Sequence, residues 1–136
     1  MSSLKRDISK RADVFLLVYT FYEKVRAETT LGPIFNDRIK DWDAHLELLT
    51  TFWETSLFFT KKLDKKYKGN PLKAHVKVDK SIDNTITELH FGLWLNLWIE
   101  TIDELFSGDY ANIAKRRARK MASFLYLKIF DERTKS

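Results

Sequence analysis

The sequence has no cysteine. That absence removes disulfides, thiolate zinc sites, a cysteine nucleophile and covalently tethered c-type haem together. Glycine and proline are scarce, four and two in 136 residues, which argues for helices over many short strands. The glycines are also too scattered for a phosphate-cradling or dinucleotide-binding loop. No run approaches the roughly 18 apolar residues of a membrane span. The opening "MSSLKRDISKRADVFLLVY" carries only a short amphipathic apolar stretch and lacks a small-residue cleavage site, so it does not read as an export signal. A soluble cytoplasmic protein is the expectation. The residues three before the histidines are Trp42, Leu72 and Thr87, which excludes the Glu-x-x-His pairs of a di-iron bundle, and no His-Glu-x-x-His is present for catalytic zinc. No nucleophile elbow marks a serine hydrolase.

What is present is apolar and aromatic. Hydrophobic residues make up 44% of the chain, with ten Phe, five Tyr and four Trp, far too much apolar surface for a disordered chain. A single domain over residues 1–136 is long enough to bury it. Net charge is +5, with much of the excess in "KRRARK", residues 115–120. A basic helix can bind nucleic acid, and a haem-free basic helical module of that kind would show affinity falling steeply with salt. However, Ala114, Ala118, Met121, Ala122, Leu125 and Ile129 recur at helical spacing beside the run. The charges therefore read as the wet face of a packed helix, and the aromatics fall on apolar stripes elsewhere.

The spacing predicts four long helices. Val14, Leu17, Val18, Phe21, Tyr22 and Val25 form an inward stripe on the first, which stops before Gly32-Pro33. Tyr19 falls outward on this register, whereas Tyr22 lies inward with Phe15, and an inward tyrosine needs a partner for its hydroxyl. A second helix opens near Asp41 as N-cap and carries Trp42, His45, Leu49, Phe52 and Trp53 at spacings of three and four, which turns His45 to the buried side. The third begins near Asp83, with Thr85 and Glu88 as a capping box, and runs to Phe106. Phe91, Trp94, Trp98, Ile102 and Leu105 form one stripe on it; Ile86, Leu89, Leu93 and Leu97 form another. The fourth spans roughly Tyr110 to Phe130, leaving "DERTKS" as a frayed end. Between the second and third helices lies a long irregular segment containing "GNPLKAHVKV", with His75 near the end of a short helical start.

An apolar helical interior holding an inward Tyr, an inward His and a Trp N–H, with a second histidine on an irregular segment, suits haem. A neutral imidazole ligates iron from one side. On the other side, O–H and N–H donors form charge-assisted hydrogen bonds to a polarised diatomic ligand.

The stretches "FYEKVRAETTLGPIFNDRI", "DWDAHLELLTTFW", "YKGNPLKAH" and "HFGLWLNLWIETIDELF" occur in the order typical of the truncated haemoglobins of the third group, short bacterial globins with a two-over-two helical sandwich. The chain resembles that family from about Val14 to Leu125. The resemblance implies an all-α, truncated globin-like fold around a non-covalent haem b. It implies His75 as the proximal iron ligand, with Tyr22, His45 and Trp94 lining the distal side. It places Phe35, Leu49, Phe52, Phe91 and Trp98 against the porphyrin or near it. His90 is the competing histidine, and Lys73 and Lys77 are the nearest cations for the haem propionates. One departure is a somewhat longer stretch between His75 and "HFGLW". The implied ligands are oxygen, CO and NO, for oxygen capture or sensing or for NO or peroxide chemistry. The chain contains no flavin or nicotinamide domain, so any catalytic cycle would need an external reductase.

Overall fold

The structure is a computed structural model that describes residues 5–58 and 88–135, with the side chains of 5–58 and 89–125. Every regular element among the described residues is a helix: α1 (Arg11–Ala27), α2 (Leu31–Arg38), α3 (Trp42–Phe58), α4 (Glu88–Leu105) and α5 (Asp109–Lys135). The all-α expectation holds. His75, Lys73, Lys77, the turn at Gly69–Pro71 and the expected start of the third helix near Asp83 lie outside the described residues.

α1 packs on α3 and α4, α4 packs on α5, and α3 touches α5, so the α1/α3 pair lies across the α4/α5 pair. The expected α1 stripe is the centre of the core: Val14, Leu17, Val18, Phe21 and Val25 are fully enclosed, with Tyr22 beside them. Trp98 and Ile102 of α4 and Ala111, Ala114 and Ala118 of α5 complete it. The alanines let α5 lie close to α4 while its basic residues point outward; Arg116, Arg119 and Lys120 are exposed. Enclosed aromatics such as Phe21 and Trp98 each hold about 3–5 kcal/mol against truncation to alanine.

Ion pairs bridge the helices at the edges. Arg11 at the start of α1 donates to Glu54 at 2.8 Å, Glu47 at 2.8 Å and the Thr51 hydroxyl at 3.1 Å, all on α3. Lys24 near its end reaches Glu100 and Glu104 of α4 at 2.9 and 2.7 Å.

The residues before α1 strap the bundle together. Asp7 accepts the backbone N–H groups of Tyr110 and Ala111 at 2.9 Å each, capping α5 from the far end of the chain. Gly108 makes this possible: its φ is +142°, and a Cβ there would stand 2.5 Å from Asp7 Cγ. Arg6 lies over the Phe106 ring and pairs with the buried Asp13. Asp13 also accepts from Ser9 N–H (2.9 Å), Ser9 Oγ (3.0 Å) and Lys10 N–H (3.2 Å). The Arg6 hydrogen bond holds its carboxyl well below the usual carboxylate range.

Three details depart from the sequence reading. A short helix, α2, covers Gly32-Pro33, where a break was expected. Pro33 sits in its first turn, where no N–H is required, and Glu28 Oε1 accepts from Thr30 and Leu31 N–H at 2.6 and 2.8 Å. Phe15 is 37% exposed and pairs with Tyr19 outside, because it stands at the margin of the α1 stripe. The last helix continues to Lys135, since neither glycine nor proline follows Phe130 to stop it. No described helix is long and apolar enough to cross a membrane.

Candidate functional site

α3 has two apolar faces of different fate. Leu46, Thr50, Trp53 and Leu57 point into the core, whereas Trp42, His45, Leu49 and Phe52 form a half-buried face one helical position round. The helix is set by Asp41, whose Oδ1 accepts from Ala44 N–H at 3.1 Å, the expected N-cap. That cap fixes where His45 emerges, one turn into the helix.

Opposite His45 stands Tyr22. Their rings meet edge to face with centroids 5.8 Å apart. Phe35 of α2 approaches Tyr22 at 5.9 Å, and Trp42 approaches Tyr22 at 5.8 Å and His45 at 5.6 Å. The result is a polar pair, one phenol and one imidazole, walled by aromatic carbon. Burial pushes the His45 pKa below its ordinary value, so the ring is neutral at pH 7 and presents one N–H and one lone pair.

α2 is held down as the roof of this site. Gly32 lies so close to the end of α1 that a Cβ would meet the Arg26 carbonyl oxygen at 2.5 Å, a second position where only glycine fits. Arg26 donates from Nε to Asn36 Oδ1 at 3.0 Å, and its guanidinium stacks 4.4 Å over the Trp42 ring. Thus one arginine ties α1, α2 and α3 together beside Tyr22 and His45.

Trp94 joins through Phe21, ring to ring at 5.5 Å, and Phe21 in turn abuts Tyr22 at 4.7 Å. Trp98 is one layer deeper, fully enclosed, with its indole N–H donating to the Ala114 carbonyl at 3.3 Å. Leu49 and Phe52 continue the α3 face below His45; Phe91 is half-buried three residues before Trp94, with His90 half-buried beside it. Of the expected residues, therefore, Tyr22, His45 and Phe35 are in direct ring contact, Trp94 and Trp98 follow through Phe21, and His75 lies outside the described residues. Trp42 was read as part of a stripe and of the "DWDAH" stretch, with no role of its own at the site. Its three-residue spacing from His45 is the signal that puts both rings on one wall, and the Arg26 contact across helices had no signal in the sequence.

Among the described residues no three His, Cys, Asp or Glu side chains gather as a self-contained metal centre would need. A flat macrocycle whose iron takes one protein ligand has no such need. The half-buried faces of α3 and the first half of α4, with a neutral imidazole and a phenol over them, have the donor set and apolar area that a haem fits.

No family model matches the chain. A curated relative is 29% identical over 124 residues, covering 88% of this chain and 91% of its own length: the group 3 truncated hemoglobin ctb of Campylobacter jejuni. The crystal structure of the group III truncated hemoglobin from Campylobacter jejuni superposes with a TM-score of 0.77 at 28% identity, covering 93% of this chain and 95% of the other. The fold is that of a group III truncated haemoglobin. Both comparisons bear out the family resemblance drawn from the sequence. In truncated-haemoglobin terms, α1 and α3 are one layer of the two-over-two sandwich and α4 and α5 the other, and the aromatic site lies along the α3 side.

Proposed function

We propose that this globin binds haem b non-covalently and takes oxygen, CO or NO in the pocket headed by Tyr22 and His45. The observation that carries the reading is the facing of those two polar rings inside an otherwise aromatic wall. The similarity to a truncated haemoglobin supports it, and the absence of cysteine favours a non-covalent haem over a tethered one.

His75 is assigned as the iron ligand, in preference to His90. Phe35, Leu49, Phe52 and Phe91 are the side chains that would pack against the macrocycle, with Trp98 supporting from behind. The haem, when bound, supplies an iron that coordinates a diatomic gas. The chain supplies the rest. Tyr22 O–H, the neutral His45 imidazole and the Trp94 indole donate to the ligand's polar end, each hydrogen bond worth about 1.5–3 kcal/mol where the acceptor carries charge. Donors of that strength favour retention over bulk delivery, so oxygen capture, sensing or NO or peroxide chemistry suits the pocket better than transport. Turnover needs electrons from an external reductase. A single domain over residues 1–136 working in the cytoplasm completes the reading.

Visible spectra of the ferric, dithionite-reduced and CO-bound protein, in wild type and His75→Ala, test it. A histidine-ligated haem spectrum that is altered in the variant and restored by imidazole is expected. A wild type that shows no bound haem at stoichiometric haem overturns the reading. For the NO chemistry, oxygenated protein that turns ferric no faster with NO than without it rules that activity out.

A further inference from the structure

Three of the four tryptophans stand in a row. Trp94 and Trp98 are parallel, 4° between planes and 6.1 Å between centroids, and Trp98 stacks on Trp53 at 4.6 Å with 26° between planes. Phe21 closes the row edgewise against Trp94 and Trp98 at 5.5 and 4.9 Å. At one end, Phe21 connects Trp94 to the Tyr22 ring at the head of the pocket. At the other, Trp53 lines a groove of about 330 Å³ between α3 and α5, together with Phe52, Ser56, Arg117, Lys120, Met121 and Phe124. The row therefore runs from the ligand site, through the core, to a surface opening.

Packing alone asks for apolar volume, which leucine or phenylalanine supplies with no N–H to satisfy. Indole differs from both in giving up one electron readily. The Trp98 N–H is committed to the Ala114 carbonyl, an acceptor that cannot take the proton, so an oxidised Trp98 keeps it and remains oxidising enough to draw an electron from its neighbour. Such a residue passes charge on and does not store it.

We propose that Trp94, Trp98 and Trp53 form a one-electron relay that carries oxidising equivalents from the Tyr22–His45 pocket to the α3/α5 groove, where a small phenol re-reduces Trp53. The proposal rests on the haem reading above. The balance is complete with a peroxide as oxidant: one hydrogen peroxide and two phenols give two waters and two phenoxyl radicals. The peroxide takes up two electrons and two protons, and each phenol gives one electron along the row and releases one proton to solvent. The apolar side chains that line the groove, Phe52, Trp53, Met121 and Phe124, suit a small aromatic ring.

The test uses the full-length, ferric, haem-loaded protein treated with hydrogen peroxide and a nitroso spin trap, with adducts mapped by mass spectrometry and yields normalised to haem bound. The haem spectrum is recorded first, so absence of haem identifies failure of the functional reading itself. With haem present, the expected result is an adduct on Trp53 that falls to background in Trp98→Phe. In Trp53→Phe, which keeps an aromatic ring against Trp98 but removes the indole at the groove end, haem bleaching by peroxide accelerates. Adduct on Trp53 that persists in Trp98→Phe overturns the relay, as does labelling confined to the exposed Tyr19 and Tyr110 or bleaching unchanged in Trp53→Phe.

Discussion

Tyr22 of α1 and His45 of α3 face one another edge to face across 5.8 Å, each also touching the ring of Trp42. The pair unites two helices at the head of the proposed ligand pocket. Replacing Tyr22 by Phe keeps the ring and its contacts with Phe21, Phe35 and Trp42 but removes the hydroxyl. Oxygen dissociation, followed by stopped flow, is expected to quicken by roughly tenfold to a hundredfold, the equivalent of one hydrogen bond to a charged acceptor. Haem content should be unchanged. Equal rates in the two proteins would make Tyr22 a core tyrosine with its hydroxyl engaged elsewhere.

His45 gives the site a pH response. Burial disfavours the imidazolium in the folded state, so the folded pKa lies below the unfolded one, near about 6.5. The unfolded chain then binds more protons as pH falls through that range, and stability falls with it. Urea midpoints at neutral and mildly acidic pH should differ more in wild type than in His45→Gln. Parallel shifts in both proteins would show that the imidazole is paired or solvated when folded.

The carboxylate of Asp13 works in the opposite part of the scale. Its folded pKa is depressed, chiefly by the Arg6 hydrogen bond, so its stabilisation is complete above the ordinary carboxylate pKa and is lost as pH falls below it. Asp13→Ala removes the acceptor for Ser9 and Lys10 N–H at the start of α1 and should cost about 1–2 kcal/mol at neutral pH, the scale of a lost helix cap. In strong acid wild type and variant should converge; a constant difference down to pH 2 would point to packing as the cause.

Asp7 and Gly108 are expected to behave as one unit. Gly108→Ala sets a Cβ against Asp7 and forces a positive φ on a residue that resists it, at a cost of about 1–3 kcal/mol. Asp7→Ala should cost about 1 kcal/mol through the lost α5 cap. Since the first substitution already displaces Asp7, the double variant should lie well short of the sum. Additive thermal shifts would separate the two residues.

Much of this was legible from residue periods. The inward positions of Tyr22 and His45, the N-cap at Asp41, the outward basic face of α5 and the enclosure of Trp98 all follow from 3.6-residue spacing, which reports which side of one helix is apolar. What spacing cannot report is contact between helices. The Arg26 stack on Trp42, the Asp7 cap on α5 and the tryptophan row each join residues from different elements, and none leaves a mark within a single element. α2 was missed for another reason. Gly32-Pro33 looks like a stop, yet a proline in a first turn costs nothing, and Gly32 is demanded by the nearness of the Arg26 carbonyl. The family resemblance, in contrast, was carried by motifs that period alone would have passed over, such as the "FYEKV" and "DWDAH" stretches.

The strap at Asp7 also sets an order of events during synthesis. Tyr110 and Ala111, whose N–H groups Asp7 accepts, are made about a hundred residues after it. Until they emerge, the nascent chain has no α5 N-terminus for Asp7 to cap. Closure of the bundle is therefore a late, long-range event, and an N-terminal fusion that held residues 5–10 away from the Gly108 corner would delay it without touching the Tyr22–His45 pair.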